Sequence, residues 1–175
     1  MEHPTAHTEV LEVKDTVQVI TGNADETLFP VSGQLLITEQ YCNGAAPSQE
    51  MLDRLQLPHP LANAILIVRE GTHNKLGAPL RIRTQTDANG RFSFSLPRGN
   101  YCLSVGEKEN ARTADFYQQA YREVDKPCDN DWLEQCDLSF AVADKAIENL
   151  SFTMHRSCFV PGFSPCISYS GPWPP

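Results

Sequence analysis

At 175 residues the chain has the length of one domain, long enough to bury roughly 68–70% of its unfolded surface. With 14 basic and 22 acidic residues it carries a net charge of −8, the wrong sign for a duplex nucleic-acid binder, which needs a positive face for phosphates. Nothing approaches the run of about 18 apolar residues that reads as a membrane-spanning helix.

The first five residues, Met1-Glu2-His3-Pro4-Thr5, have neither a basic nor an apolar stretch, so they are not a signal peptide. Either the protein is cytosolic, or a signal was removed (with any lipid anchor it carried) and Met1 is not the native start. Residues 10–20 hold Val10, Val13, Val17, Val19 and Ile20, spaced for a short strand within an N-terminal extension taken as 1–30. A β-branched run opened by a glycine, Val31-Ser32-Gly33-Gln34-Leu35-Leu36-Ile37-Thr38, reads as the first clear strand. Residues 42–60 are punctuated by Asn43-Gly44, Pro47, Pro58 and Pro60. Within them, Ser48 is placed to cap a helical turn or two carrying Met51, Leu52 and Leu55 on one face.

The centre is strand-rich. Ala64 to Glu70 is an apolar strand ended by Gly71. Three period-two runs follow: Leu80, Ile82 and Thr84 on one face, then Phe92, Phe94 and Leu96, then Tyr101, Leu103 and Val105. Asp87-Ala88-Asn89-Gly90 and Pro97-Arg98-Gly99-Asn100 are turns by composition. Short turns between alternating runs predict an antiparallel meander with one buried face. Residues 106–137 break the pattern and read as an insertion with a short helix around Ala114 to Val124. Strands resume at Asp137 to Val142 and at Ile147 to Met154, the latter with a phase slip at Ile147. Residues 156–175 form a Cys/Pro-rich tail expected to run extended over the surface.

Six cysteines, Cys42, Cys102, Cys128, Cys136, Cys158 and Cys166, are even in number, and none forms C-x-x-C, which weighs against a zinc ribbon or a thioredoxin motif. Disulfides in an oxidising, extracytoplasmic setting explain them most simply, against the alternative of buried reduced thiols. The connectivity stays open. One pairing, Cys158 with Cys166, closes a small loop that contributes roughly 2–3 kcal/mol.

The parts between Val31 and Val105 resemble the carboxypeptidase regulatory-like domain, within the transthyretin-like (prealbumin-like) β-sandwiches. The resemblance is carried by Ser32-Gly33-Gln34-Leu35, Leu61-Ala62-Asn63-Ala64-Ile65, Thr86-Asp87-Ala88-Asn89-Gly90-Arg91-Phe92 and Leu96-Pro97-Arg98-Gly99-Asn100-Tyr101, with Ile147 to Met154 as closing strand. It implies an all-β antiparallel Greek-key sandwich of about seven strands over 31–155, with 106–137 inserted. It also implies a folding aid, spacer or adhesive module of a secreted or bacterial envelope protein. The family has no single activity, so function from the fold alone is weakly warranted.

No catalytic set, metal or cofactor is expected. His3 and His7 have metal-ligand spacing but no helical pattern, and nothing draws His59 and His73 together. Asp87, Asn89 and Gly90 start like a calcium loop, but no glutamate closes it at the required spacing. There is no G-x-S-x-G. The terminus Tyr169-Ser170-Gly171-Pro172 lacks the arginine and final serine of the transthyretin-like ureide hydrolases. No two-Tyr, two-His iron set of the ring-cleaving dioxygenases can be placed, and residues 33–41 hold no lysine for a pilin-type cross-link. The tail residues Tyr169, Pro172, Trp173, Pro174 and Pro175 form the one candidate docking strip. The competing reading is that the tail folds back to cover a sheet edge. Truncation after Cys166 is expected to separate the two by its effect on stability. The leading expectation is a non-catalytic module binding a protein or glycan. Behind it stand a structural subunit that forms a homo-oligomer or docks on a scaffold, and an enzyme with an unrecognised site.

Overall fold

A computed structural model describes residues 25–173, together with the backbone pairing of two short strands, β1 (Glu12–Val13) and β2 (Thr16–Val17). His3, His7, Val10, Val19, Ile20, Pro174 and Pro175 lie outside the described residues. The remaining elements are β3 (Phe29–Glu39), α1 (Gln49–Gln56), β4 (His59–Pro60), β5 (Ile65–Glu70), β6 (Ile82–Gln85), β7 (Arg91–Leu96) and β8 (Gly99–Val105). After them come α2 (Ala114–Tyr117), β9 (Arg122–Val124), α3 (Lys126–Glu134), β10 (Leu138–Val142), β11 (Ile147–Arg156) and β12 (Ile167–Tyr169).

The chain is mostly strand. One sheet has the order β10-β8-β5-β6 and is antiparallel throughout. In the other, β3 lies between β11 on one side and β7, then β4, on the other. Inward residues of both sheets form a single core, including Val31, Leu35, Phe92, Phe94 and Phe152 from one and Leu66, Val68, Ile82, Tyr101 and Leu103 from the other. Phe92 packs on Phe94 and Phe152, and Tyr101 on Phe140, with ring centroids 5.8–6.4 Å apart. Buried aromatics of this size dominate core energetics.

Two expectations are corrected. The three alternating runs do not form a meander: β6 pairs with β5, β7 with β3, and β8 with β5 and β10. Period-two alternation records one buried face per strand and does not name the partner. The Asp87 turn therefore carries the chain from one sheet to the other. Asp87 Oδ1 accepts the Asn89 and Arg91 N–H groups at 2.8 Å, and Gly90 has φ +68°. The second correction is that β11 runs parallel to β3, so this sheet is mixed rather than purely antiparallel. Its register shifts between Ile147 and Leu150, where the sequence shows its phase slip. At Gly33 a Cβ would lie 2.3 Å from Leu150 O and 2.6 Å from Phe92, so only glycine lets β11 and the Phe92 ring come this close.

Strand β8 is buried on both faces, since Cys102 and Ser104 are as inaccessible as Tyr101 and Leu103. Residues 106–137 provide the second cover. They hold more structure than the single short helix expected: a 3-10 turn at Gly106–Lys108, then α2, β9 and α3. Helix α3 opens on an Asp125 cap whose carboxylate accepts the Cys128 N–H, with Pro127 in its first turn, a position where proline's missing donor costs nothing.

All six cysteines are paired, as Cys42–Cys158, Cys102–Cys136 and Cys128–Cys166. The small Cys158–Cys166 loop is thus not formed, and each tail cysteine is tied instead to a distant segment. Three disulfides point to an oxidising environment. The tail does not run loosely over the surface: Val160, Ser164, Cys166 and Ile167 are buried, and β12 pairs with β9. No helix among the described residues is long and apolar enough to cross a membrane.

Candidate functional site

Four aromatic rings gather where the C-terminal segment meets the insertion. Phe159 sits 5.1 Å from Tyr169 and 5.6 Å from Trp173, and Tyr121 lies 6.2 Å from Tyr169, all ring to ring. The pairing of β12 with β9 sets Tyr169 opposite Arg122, and the Ser170 N–H donates to Tyr121 O at 2.9 Å. The chain then wraps over the rings at Gly171, where a Cβ would stand 2.4 Å from the Tyr169 hydroxyl and 2.7 Å from the Tyr121 ring. The Tyr169 hydroxyl donates to Pro172 O at 2.9 Å, which sets the turn that presents Trp173.

These rings are not core. Trp173 is 61% exposed, Tyr121 58% and Phe159 39%. Tyr121 and Phe159 also hold left-handed backbone, with φ +61° and +57°. The other two non-glycine residues in that region, among those described, are asparagines, which tolerate it. A bulky aromatic there costs of order 1–3 kcal/mol, and such outliers cluster at functional sites. Here two of them turn large apolar rings toward solvent on one face.

A groove of about 430 Å³ adjoins the platform, sharing Phe159 and lined further by Tyr41, Met51, Leu55 and Val160. The Cys42–Cys158 disulfide ties its walls together. Helix α1 forms one side. Its Ser48 cap accepts the Met51 N–H at 3.2 Å, as expected, yet the helix buries no residue at all. An amphipathic helix normally buries its apolar stripe. Met51 and Leu55 instead line the groove, with Met51 exposed. Arg54 and the Arg156–Glu39 pair give it a polar rim.

The sequence marks Tyr169, Pro172 and Trp173, and the structure brings all three to this face, while Pro174 and Pro175 fall outside the described residues. Sequence reasoning missed Tyr121 and Phe159, because nothing in a single sequence reports a left-handed φ at an aromatic residue.

A buried polar network joins the insertion to the tail. Arg112 bridges Asp129 at 3.2 Å and Glu107 at 3.4 Å, and lies over the Phe116 ring. The Ser164 hydroxyl donates to Asp129 at 2.7 Å, and the Phe163 N–H donates to Glu107 at 2.6 Å. Burial pushes the Glu107 carboxyl above the ordinary glutamate range, against the lowering by the Phe163 N–H and Arg112. Lys108 pairs with Asp137 at 2.6 Å beneath the Trp132 ring. Asn74 accepts from Arg69 and donates to Lys108 O and Leu133 O. Each carboxylate here is matched to a cation, a backbone N–H or a hydroxyl, within the insertion or between the insertion and the tail. That is how buried charge is made tolerable.

The described histidines are dispersed: His59 faces Glu39 at 3.7 Å, His73 contacts Thr72, and His155 contacts Thr38. Among the described residues no group of three or more His, Cys, Asp or Glu side chains could hold a metal ion. Compared with known proteins, the chain matches no family model, no curated protein and no solved structure.

Proposed function

We propose that this chain is a non-catalytic binding module of a secreted or cell-envelope protein, and that it engages a protein partner through the aromatic platform and the groove beside it. The observation that carries the reading is the pair of exposed rings, Tyr121 and Phe159, both on left-handed backbone and both on one face. Tyr, Trp, Phe, Met and Arg are the residues enriched at the centres of protein interfaces. Here they are Tyr121, Tyr169, Trp173, Phe159, Met51 and Arg54. The scaffold is read as a transthyretin-like sandwich of the carboxypeptidase regulatory-like kind, supported by two four-stranded sheets that share one core, eight strands with the two-residue β4 and so close to the seven expected. The three disulfides support a periplasmic, outer-membrane-associated or secreted setting.

Self-assembly through the same surface is the second reading, favoured by the exposed apolar groups of the platform, notably Trp173 and Phe159. A photo-cross-linking amino acid at Phe159, with one at exposed Glu148 as control, tests both in the source cell. A single partner protein joined at 159 and not at 148 is the expected result. Adducts only with further copies of this chain would transfer the site to the assembly reading. No adduct at 159 beyond the control level would overturn both.

A further inference from the structure

We infer that a second site, a polar cleft at the β6–β7 end of the two sheets, binds a neutral saccharide. The cleft has a volume of about 670 Å³, larger than the groove beside the platform and within the usual range for small-ligand sites. Its walls come from β3, β6, β7 and β11 and present mainly uncharged hydroxyls and amides, among them Ser32, Gln34, Gln85, Asn149 and Ser151. Phe92 and Leu150 supply the apolar contribution.

Two observations point to a ligand. The first is Thr84, which lines the cleft, is 4% exposed, and has an Oγ1 with no hydrogen-bond partner. A buried unpaired hydroxyl costs about 1–3 kcal/mol. The neighbouring Thr86 shows the ordinary solution, with its hydroxyl donating to Leu61 O at 2.7 Å. A ligand hydroxyl at the cleft wall would give Thr84 the partner it lacks.

The second observation is that the amides are held in place. Gln34 Nε2 donates to Asn89 O at 2.9 Å and Gln85 Nε2 to Asn63 O at 3.0 Å, so both side chains are fixed before any ligand arrives. Fixed neutral donors and acceptors beside an apolar surface suit a sugar ring, which has hydroxyls at its rim and C–H groups on its faces. Arg91 is the one cation among the lining residues beside the single carboxylate Asp87, so the wall is mainly neutral and a multiply charged anion, which draws on several cations, suits it less than a sugar.

Charge in the cleft supports binding without cleavage. Asp87 is the one carboxylate among its lining residues, and its Oδ1 already accepts two backbone N–H groups of the turn. Glycoside hydrolysis ordinarily requires two carboxylates flanking the bond. The cleft is therefore assigned the retention of a saccharide, independent of the protein contact proposed for the platform.

The test is amide NMR titration of the oxidised protein with four probes: glucose, N-acetylglucosamine, maltotriose and chitotriose. Saturable shifts are expected at Asn149, Ser151 and the Thr84 strand. Shifts with the trisaccharides alone identify a glycan chain, and shifts with the monosaccharides as well identify a free sugar; either supports the cleft. Thr84→Val, which keeps the shape and removes the hydroxyl, is expected to weaken binding at least tenfold while melting higher than the wild type. Ser151→Leu, at an exposed position, is expected to block the cleft with no change in the core. The assignment is overturned if no probe shifts these residues, if binding survives in both variants, or if the shifts centre on Phe159 and Trp173. The cross-linking outcome at Phe159 is unaffected by any of these results.

Discussion

Glu107 sets burial against hydrogen bonding at a single side chain. Desolvation outweighs the Phe163 N–H and the Arg112 guanidinium, so its pKa lies above the ordinary value of 4.5. A carboxyl that holds its proton more tightly in the folded state stabilises the fold fully below the unfolded pKa and loses that contribution as pH rises through the folded pKa. Glu107→Gln keeps an acceptor for Phe163 and carries no charge. Thermal melts are expected to show the variant more stable than wild type at pH 8 and level with it at pH 4; the reverse order at pH 8 would mean the Arg112 pairing wins. Lys108 poses the opposite case. It is 1% exposed and donates to Asp137 and to Gln135 O. Lys108→Met leaves a buried carboxylate without its cation, and urea unfolding is expected to show a loss of about 3–5 kcal/mol. Adding Asp137→Asn to it should recover much of that, because the penalty belongs to the stranded charge and not to the lost pair, and the amide oxygen still accepts the Val105 N–H.

Strand β12 spans only three residues, yet it decides what a truncation can reveal. Ile167 is buried, and Ile167→Ala is expected to cost about 2–5 kcal/mol. A cut after Cys166 removes Ile167 together with Tyr169 and Trp173, so a fall in stability there does not separate a covering tail from a docking one. A cut after Ser170 keeps β12 and removes Trp173. It is expected to change stability by less than about 1 kcal/mol while abolishing the cross-link from position 159, and an undiminished cross-link would remove Trp173 from the site. The same scale shows why some elements were readable and others were not. Strands β3, β5, β7 and β11 announce themselves by apolar runs or alternation, and even the bulge in β11 shows as a phase slip at Ile147. Partner and direction do not show, which is why β6, β7 and β8 read as a meander and β11 as antiparallel. Helix α3 was missed because Pro127 reads as a breaker, although proline is at home in a first turn. Of the platform, Trp173 and Tyr169 stand out in Pro/Gly-rich sequence, whereas Tyr121 and Phe159 owe their exposure to backbone angles fixed by the β9–β12 pairing and the Cys42–Cys158 bond.

Across the whole molecule, covalent closure adds to what the core supplies. The three disulfides link positions 116, 34 and 38 residues apart and connect the ends of β3 and β11, β8 to the residues before β10, and α3 to the tail. In the chain-entropy description, loops of these lengths contribute about 5, 4 and 4 kcal/mol. Together that is of the order of the entire net stability of a domain, about 5–15 kcal/mol. The insertion and tail depend on it most, since they offer few large apolar side chains of their own; Leu133, Val160 and Ile167 are the buried ones. Removal of Cys128–Cys166 by Cys128→Ala with Cys166→Ala is therefore expected to loosen 106–137 and 158–173 first. Hydrogen exchange should quicken at β9 and β12 while β5 and β8 stay protected. Full reduction and alkylation is expected to abolish the near-ultraviolet circular dichroism altogether. A reduced chain that keeps this signal would show that the two-sheet core stands alone, and the case for an oxidising compartment would then rest on the cysteines' pairing and no longer on the fold's need for it.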